Sequence, residues 1–139
     1  MDNIKILIAE DNAFTRKFYD STISGNVFVK QFAENGLKAV KIYRDWKPDI
    51  ILLDLMMPTV NGYSVLKQVR ENNMDTSTTI IISTSSSQRD DVVTCSKFGV
   101  QGYLIKPISP KDVNKTILRL YKEAHPEKAA EIVSLMQYL

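Results

Sequence analysis

Residues 48–58 read Pro-Asp-Ile-Ile-Leu-Leu-Asp-Leu-Met-Met-Pro, and the point where their apolar run stops decides the fold. Ile50-Ile51-Leu52-Leu53 is a short, continuous apolar stretch that runs straight into Asp54. Two other stretches are built the same way. Lys5-Ile6-Leu7-Ile8-Ala9 runs into Glu10-Asp11, and Gly102-Tyr103-Leu104-Ile105 runs into Lys106. Apolar runs of this length, each followed by a polar break and then helical periodicity, read as buried parallel strands. In an open parallel sheet, ligands bind outside the carboxyl ends of the strands. Carboxylates and a lysine far apart in the chain are therefore expected at one edge, as a site.

Working outward, five strand-like runs (5–9, 27–32, 49–53, 79–83 and 102–105) alternate with five helical stretches (13–24, 36–46, 62–72, 88–98 and 109–123). Asn12 suits the cap of the first helix, and Gly25-Asn26 its end, as residues that tolerate left-handed backbone. Glu34-Asn35-Gly36 and Asn61-Gly62 mark turns into the second and third helices. Ser109-Pro110 sets a capping hydroxyl before a proline at the first helical position. The alternation implies an α/β class fold with right-handed crossovers and a sheet covered on both faces.

A length of 139 residues fits one domain with a full core. A net charge of +2 is too mild to argue for nucleic-acid binding. Cys95 is the only cysteine, so no internal disulfide forms, and a reducing compartment is the simpler assumption. No apolar run is long enough to span a membrane, and Asp2 leads directly into a strand in place of a signal peptide. A cytoplasmic location is expected. After Glu123, Ala124-His125-Pro126 breaks the last helix. In the tail, Ile132, Leu135, Met136 and Leu139 fall at helical spacing. The division is thus 1–123 as the domain and 124–139 as a C-terminal extension. Three readings of the extension stay open: a helix packed on its own domain or a disordered end, a dimer contact, or the stub of a linker.

Glu10, Asp11 and Asp54 would bring three carboxylates together, which is costly without a cation. Hard oxygen ligands with positions open to water suit Mg²⁺. A cation there would hold a carboxylate nucleophile beside a phosphoryl group and offset its charge. Lys106 supplies a mobile positive charge to phosphate oxygens. Thr84, at the end of the intervening strand, offers a hydroxyl donor. Carboxylate attack on phosphorus gives an aspartyl phosphate.

The segments 6–12 (Ile-Leu-Ile-Ala-Glu-Asp-Asn), 48–58, 61–63 (Asn-Gly-Tyr), 81–84 (Ile-Ile-Ser-Thr) and 102–107 (Gly-Tyr-Leu-Ile-Lys-Pro) together resemble the receiver domains of response regulators, the CheY-like family, over about residues 3–123. The resemblance implies a doubly wound, five-stranded parallel sheet of flavodoxin-like order 2-1-3-4-5. It implies phosphorylation of Asp54 by a sensor histidine kinase or histidine phosphotransfer protein. It implies Mg²⁺ bound directly by Asp11 and Asp54, with Glu10 helping through water and the backbone carbonyl of Met56 as a further ligand. Thr84 and Lys106 would contact the phosphoryl group, the Lys106–Pro107 bond would be cis, and Tyr103 would be the rotating aromatic of the switch. Such a domain is a switch that catalyses only its own phosphorylation and slow dephosphorylation, Met56 and Ser86 offering nothing to orient the attacking water.

Its output would be a changed surface of the fourth helix, last strand and last helix, read by a downstream protein or by an output domain of its own. Phe14, Thr15, Lys17 and Phe18 are candidates for choosing the phosphodonor. Lys111, Lys115, Arg119 and Lys122 make a basic stripe on the last helix, either a solvated face or a docking surface for an acidic partner or a second copy. A haloacid dehalogenase-type phosphatase is excluded because its second aspartate falls on Met56. A flavin carrier is excluded because Glu10-Asp11 would repel phosphate. The alternative kept is a receiver cut from a larger transcription factor or output enzyme, with no DNA-binding module in these residues.

Overall fold

The computed structural model describes residues 3–57, 59–85 and 89–139, with side chains described for all of these but 89–91. Five parallel strands lie in the order β2-β1-β3-β4-β5. They are β1 (Ile4–Ala9), β2 (Phe28–Ala33), β3 (Ile50–Asp54), β4 (Thr79–Thr84) and β5 (Gly102–Ile105). The helices are α1 (Ala13–Thr22), α2 (Gly36–Trp46), α3 (Gly62–Lys67), α4 (Arg89–Lys97), α5 (Pro110–Ala124) and α6 (Ala129–Leu135). This is the expected doubly wound fold of order 2-1-3-4-5.

Alternation along each strand divides the core into two layers. Ile6, Ile8, Ile50, Leu52, Ile81 and Leu104 face one way and pack with Tyr19 of α1, Ile23 just after it, and Val113, Ile117 and Leu118 of α5. Leu7, Ile51, Leu53, Ile80 and Ile82 face the other way, against Ala39 and Tyr43 of α2, Val65 and Leu66 of α3, and Cys95 of α4. Each fully buried Ile or Leu contributes about 1.5–3 kcal/mol relative to exposure, so the central strands need no polar face. Among the described residues, no helix is long and apolar enough to cross a membrane.

Local signals act where expected at three helix starts. The side chains of Asn12, Asn35 and Asn61 accept from the N–H groups of Thr15, Lys38 and Ser64. Gly62 is required for another reason: a Cβ there would stand 2.5 Å from the Asp54 carbonyl oxygen and 2.6 Å from Leu55 Cα. The start of α3 thus closes directly over the end of β3, and the Gly62 N–H donates to the Leu55 carbonyl at 3.0 Å.

Other local expectations give way to tertiary contacts. α1 stops at Thr22, short of the expected residue 24, because Asn114 of α5 bonds both sides of its end. The Asn114 side chain accepts from the Ser24 N–H and donates to the Thr22 carbonyl, each at 2.9 Å. Gly25 and Asn26 form a turn without left-handed backbone, which occurs at Lys47, Thr59, Met74 and Gly99. Ser109 forms no side-chain cap, leaving Pro110 alone to open α5. The third helix continues past Lys67 as a π-helical turn over Gln68–Asn72. β2 and β3 are each shifted one residue towards the carboxyl end of the expected run.

The tail forms a helix on the domain. Ile132 and Leu135 of α6 are buried in the layer between α1, α5 and the sheet, and Met136 packs against it. Leu139 lies outside that face and is exposed.

Candidate functional site

The residue after β1, the last of β3 and the residue after β5 sit at the same end of neighbouring strands. Alternation carries Glu10 on from Ile6 and Ile8, and Asp54 on from Ile50 and Leu52, so both point to the α1 and α5 side. The carboxylates of Glu10, Asp11 and Asp54 lie within 4.8 Å of one another. Glu10 and Asp54 are buried and Asp11 is exposed. Lys106, which precedes the cis Lys106–Pro107 bond, reaches across the edge to them. Its Nζ is 2.5 Å from Glu10 Oε1 and 3.7 Å from Asp54 Oδ2.

Backbone groups hold the acids in place. The Met56 N–H donates to Asp54 Oδ1 at 3.0 Å, and the Asn12 N–H to Glu10 Oε2 at 3.1 Å. The Arg16 guanidinium donates to the carbonyls of Glu10 and Asp11, at 2.9 and 2.8 Å, and so pins the loop from α1. The Met56 side chain points to solvent, being 73% exposed.

The two buried acids are driven apart. Burial, and then the hydrogen bond that its protonated form donates to Glu10, push the Asp54 carboxyl up to about 7, with the charge of Glu10 adding to this. Burial also acts against the charge on Glu10, but its bonds to Lys106, Asp54 and the Asn12 N–H hold it below the usual carboxylate range. One lysine serves two crowded carboxylates, and the second carries the strain. Three carboxylate donors, one of them pushed towards its neutral form by burial and by Glu10, are the donor set a hard divalent cation fits.

Thr84 and Tyr103 belong to the opposite layer. Thr84 is buried at the end of β4, and its carbonyl accepts from the Lys106 N–H at 2.8 Å. Tyr103 is half-buried, in register with Ile82, and its hydroxyl donates to the Val92 carbonyl of α4 at 3.1 Å. Ser86 lies outside the described residues. Beside Lys106, an apolar groove of about 300 Å³ is lined by Phe14, Thr15, Phe18, Lys106, Pro107 and Ile108. Phe14, at its rim, is 86% exposed. Lys17 is exposed but does not line this groove. On α5, Lys111 and Lys115 are exposed, Arg119 pairs with Glu123 at 3.1 Å, and Lys122 is half-buried.

Sequence reasoning missed three polar residues around the site. Arg16 carried a signal, standing four residues after the Asn12 cap on the same side of the helix. Tyr19 and Ser83 carried none, because both look like ordinary members of core-facing runs.

Residues 6–118 match the family model for the response regulator receiver domain. The nitrate/nitrite response regulator protein NarL of Escherichia coli K12 is 35% identical over 130 residues, covering 92% of this chain and 56% of NarL. The chemotaxis protein CheY of Thermotoga maritima is 30% identical over 119 residues, covering 85% of this chain and 98% of that protein. A CheY-like receiver domain protein from Methanospirillum hungatei aligns with TM-score 0.82 at 17% identity, over 91% of this chain and 99% of that one, a likeness of fold alone. The chain spans about half the length of several curated relatives: 43% of the probable transcriptional regulator ycf27 of Guillardia theta and 56% of NarL.

Proposed function

Since the chain belongs to the response regulator receiver domain family, we propose that Asp54 is its phosphoacceptor and that the domain switches its surface when Asp54 is phosphorylated. Receiver domains are switches of two-component systems and not typical enzymes. The observation that carries the reading is the carboxylate cluster with Lys106 at its rim. Lys106 partly neutralises it, and Asp54 is pushed up to about 7.

A carboxylate oxygen of Asp54 attacks the phosphorus of a phosphohistidine on a sensor kinase or phosphotransfer protein. The O–P bond forms as the N–P bond breaks, and the electron pair stays on the departing imidazole nitrogen, which takes up a proton. Asp11, Asp54 and the Met56 carbonyl would hold Mg²⁺, with Glu10 assisting. The cation supplies positive charge that lets Asp54 remain ionised beside the phosphate. Lys106 leaves Glu10 to bind a phosphoryl oxygen, a short swing for an ammonium already 3.7 Å from Asp54. Thr84 donates its hydroxyl to another oxygen. Its movement opens space for Tyr103 to leave the Val92 carbonyl and turn inward, so that the face of α4, β5 and α5 changes. The two arrangements are populations of one domain, shifted by phosphorylation.

Phe14, Thr15 and Phe18 beside Lys106 give the phosphodonor an apolar footing next to the reacting carboxylate. The receiver unit is placed at residues 1–123, with 124–139 as an extension carrying α6, and its place of work in the cytoplasm. The output is a downstream protein, a second copy of the chain, or an output domain of its own. A second reading, a receiver within a longer transcriptional regulator, is favoured by the roughly twofold greater length of the probable transcriptional regulator ycf27 of Guillardia theta.

The test is intact mass after incubation with Mg²⁺ and acetyl phosphate, with Asp54→Asn alongside. One phosphoryl adduct on the parent and none on the variant is the expected result. An adduct that survives the substitution would move the acceptor elsewhere. Light scattering on the same samples separates a dimer from a heterologous output, and the adduct is expected to outlast seconds.

A further inference from the structure

Tyr19 and Ser83 have no role in the transfer as described, yet they are polar groups buried in an apolar layer. Tyr19 is fully buried on α1, and its hydroxyl lies 2.5 Å from Ser83 Oγ on β4. Apolar residues at both positions would fill the same space without any hydrogen-bond requirement. Their placement gives the polar choice a reason. Ser83 is registered directly against Asp54, and alternation turns both side chains to the α1 side of the sheet. The next residue is Thr84. The charges of Glu10 and Asp54 also reach the Tyr19 hydroxyl. Burial first, with those charges adding to it against the Ser83 bond, pushes the phenol up to about 12, so it remains a neutral O–H.

Two hydroxyls carry two protons, and a bond between them uses one. The remaining proton is oriented by the field it sits in, which here is that of two carboxylates. We propose that Tyr19 and Ser83 are a positioning pair, whose shared hydrogen bond fixes the end of β4 against α1 and turns one hydroxyl proton towards Asp54, holding that carboxylate in place for phosphoryl transfer. The pair therefore steadies Asp54 on one side, while the Met56 N–H holds it on another. It also anchors β4 one residue before Thr84, so the movement of Thr84 starts from a fixed point. The proposal rests on Asp54 being the phosphoacceptor.

The experiment measures the rate of adduct formation by intact mass, at varied acetyl phosphate and saturating Mg²⁺, for the parent, Tyr19→Phe, Ser83→Ala and the double variant. In each, acetate leaves as the Asp54 O–P bond forms. Each single substitution is expected to lower the saturating rate constant about three- to tenfold, the worth of one hydrogen bond. The acetyl phosphate concentration giving half the maximal rate stays unchanged. The double variant is expected to be no slower than the slower single one, because the pair acts as a unit. Tyr19→Phe conserves the ring and keeps the layer packed. Rates within twofold of the parent in both single variants would overturn the proposal and leave a purely structural bond, as would losses that multiply in the double variant. A parent that takes no phosphoryl group would overturn the reading of Asp54 itself, and the pair with it.

Discussion

At the carboxyl end of the sheet the Asp54 carboxyl is pushed up to about 7, while at the opposite end the Asp75 carboxyl is held down at about 2. Both are partly or wholly buried aspartates with a cation close by. The difference lies in how many donors each receives. Burial raises Asp75 as well, but the Thr78 and Tyr43 hydroxyls and the N–H groups of Thr78 and Ser77 outweigh it. Arg70, beside it on the π-helical turn, donates to the carbonyls of Phe98, Asp75, Thr78 and Gly99 at 2.8–3.1 Å. Arg70 and Asp75 each have several partners, and the network ties the loops after α3 and α4 to the sheet. At the other end three carboxylates crowd together and Lys106 reaches two of them. A satisfied polar network stabilises a fold, whereas a crowded and under-neutralised one stores free energy that a ligand can release.

Arg70→Ala strikes the satisfied end, and its effect should be the largest. It leaves several carbonyls without their donor and is expected to cost about 3 kcal/mol, a fall in Tm of about 10 °C in thermal unfolding. Phosphoryl acceptance by Asp54 should survive, and its loss would show that the two ends are coupled.

Asp54→Asn strikes the crowded end with the opposite sign. The folded value, about 7, lies above that of an unfolded aspartate near 3.9. Stability from this group is therefore present below about pH 4 and lost as pH rises through 7. Removing the charge should stabilise the metal-free protein by about 2 kcal/mol at pH 8, and by nothing near pH 4. Mg²⁺ should raise the Tm of the parent and not of the variant. A destabilised variant at pH 8 would remove the contrast between the ends.

Asp75→Asn should show the smallest effect, about 1 kcal/mol at pH 7 after allowing for the partial exposure of the group. Here the folded value, about 2, lies below the unfolded one. The stabilisation is present above about pH 4 and disappears as pH falls towards 2, so parent and variant should converge over that window in pH-dependent urea unfolding.

Much of the crowded end was legible because its residues stand where strands stop. Glu10, Asp11, Asp54 and Lys106 could be placed together by topology alone, and Thr84 by its position at the end of β4, whereas Tyr103 was singled out by the resemblance to receiver domains. The satisfied end was not legible. Arg70 and Asp75 lie in a polar stretch that reads as helix end and loop, and nothing local announces that one guanidinium will collect carbonyls from two loops.

By itself the sequence pattern determined which segments are strands and helices, that the strands run parallel, and the gathering of acids and lysine at one edge, while the strand order followed from the resemblance of its motifs to receiver domains. Apolar runs, asparagine caps and a glycine under close backbone approach act within a few residues, so local pattern is enough to express them. Only the tertiary structure decided where α1 ends, that Ser109 leaves its helix uncapped, that α6 closes onto the core, and that Tyr19 meets Ser83 beside Asp54. Each of these depends on groups distant in the chain meeting at hydrogen-bond distance or in a packed layer, and such meetings are set by the packing of whole elements and not by the residues on either side.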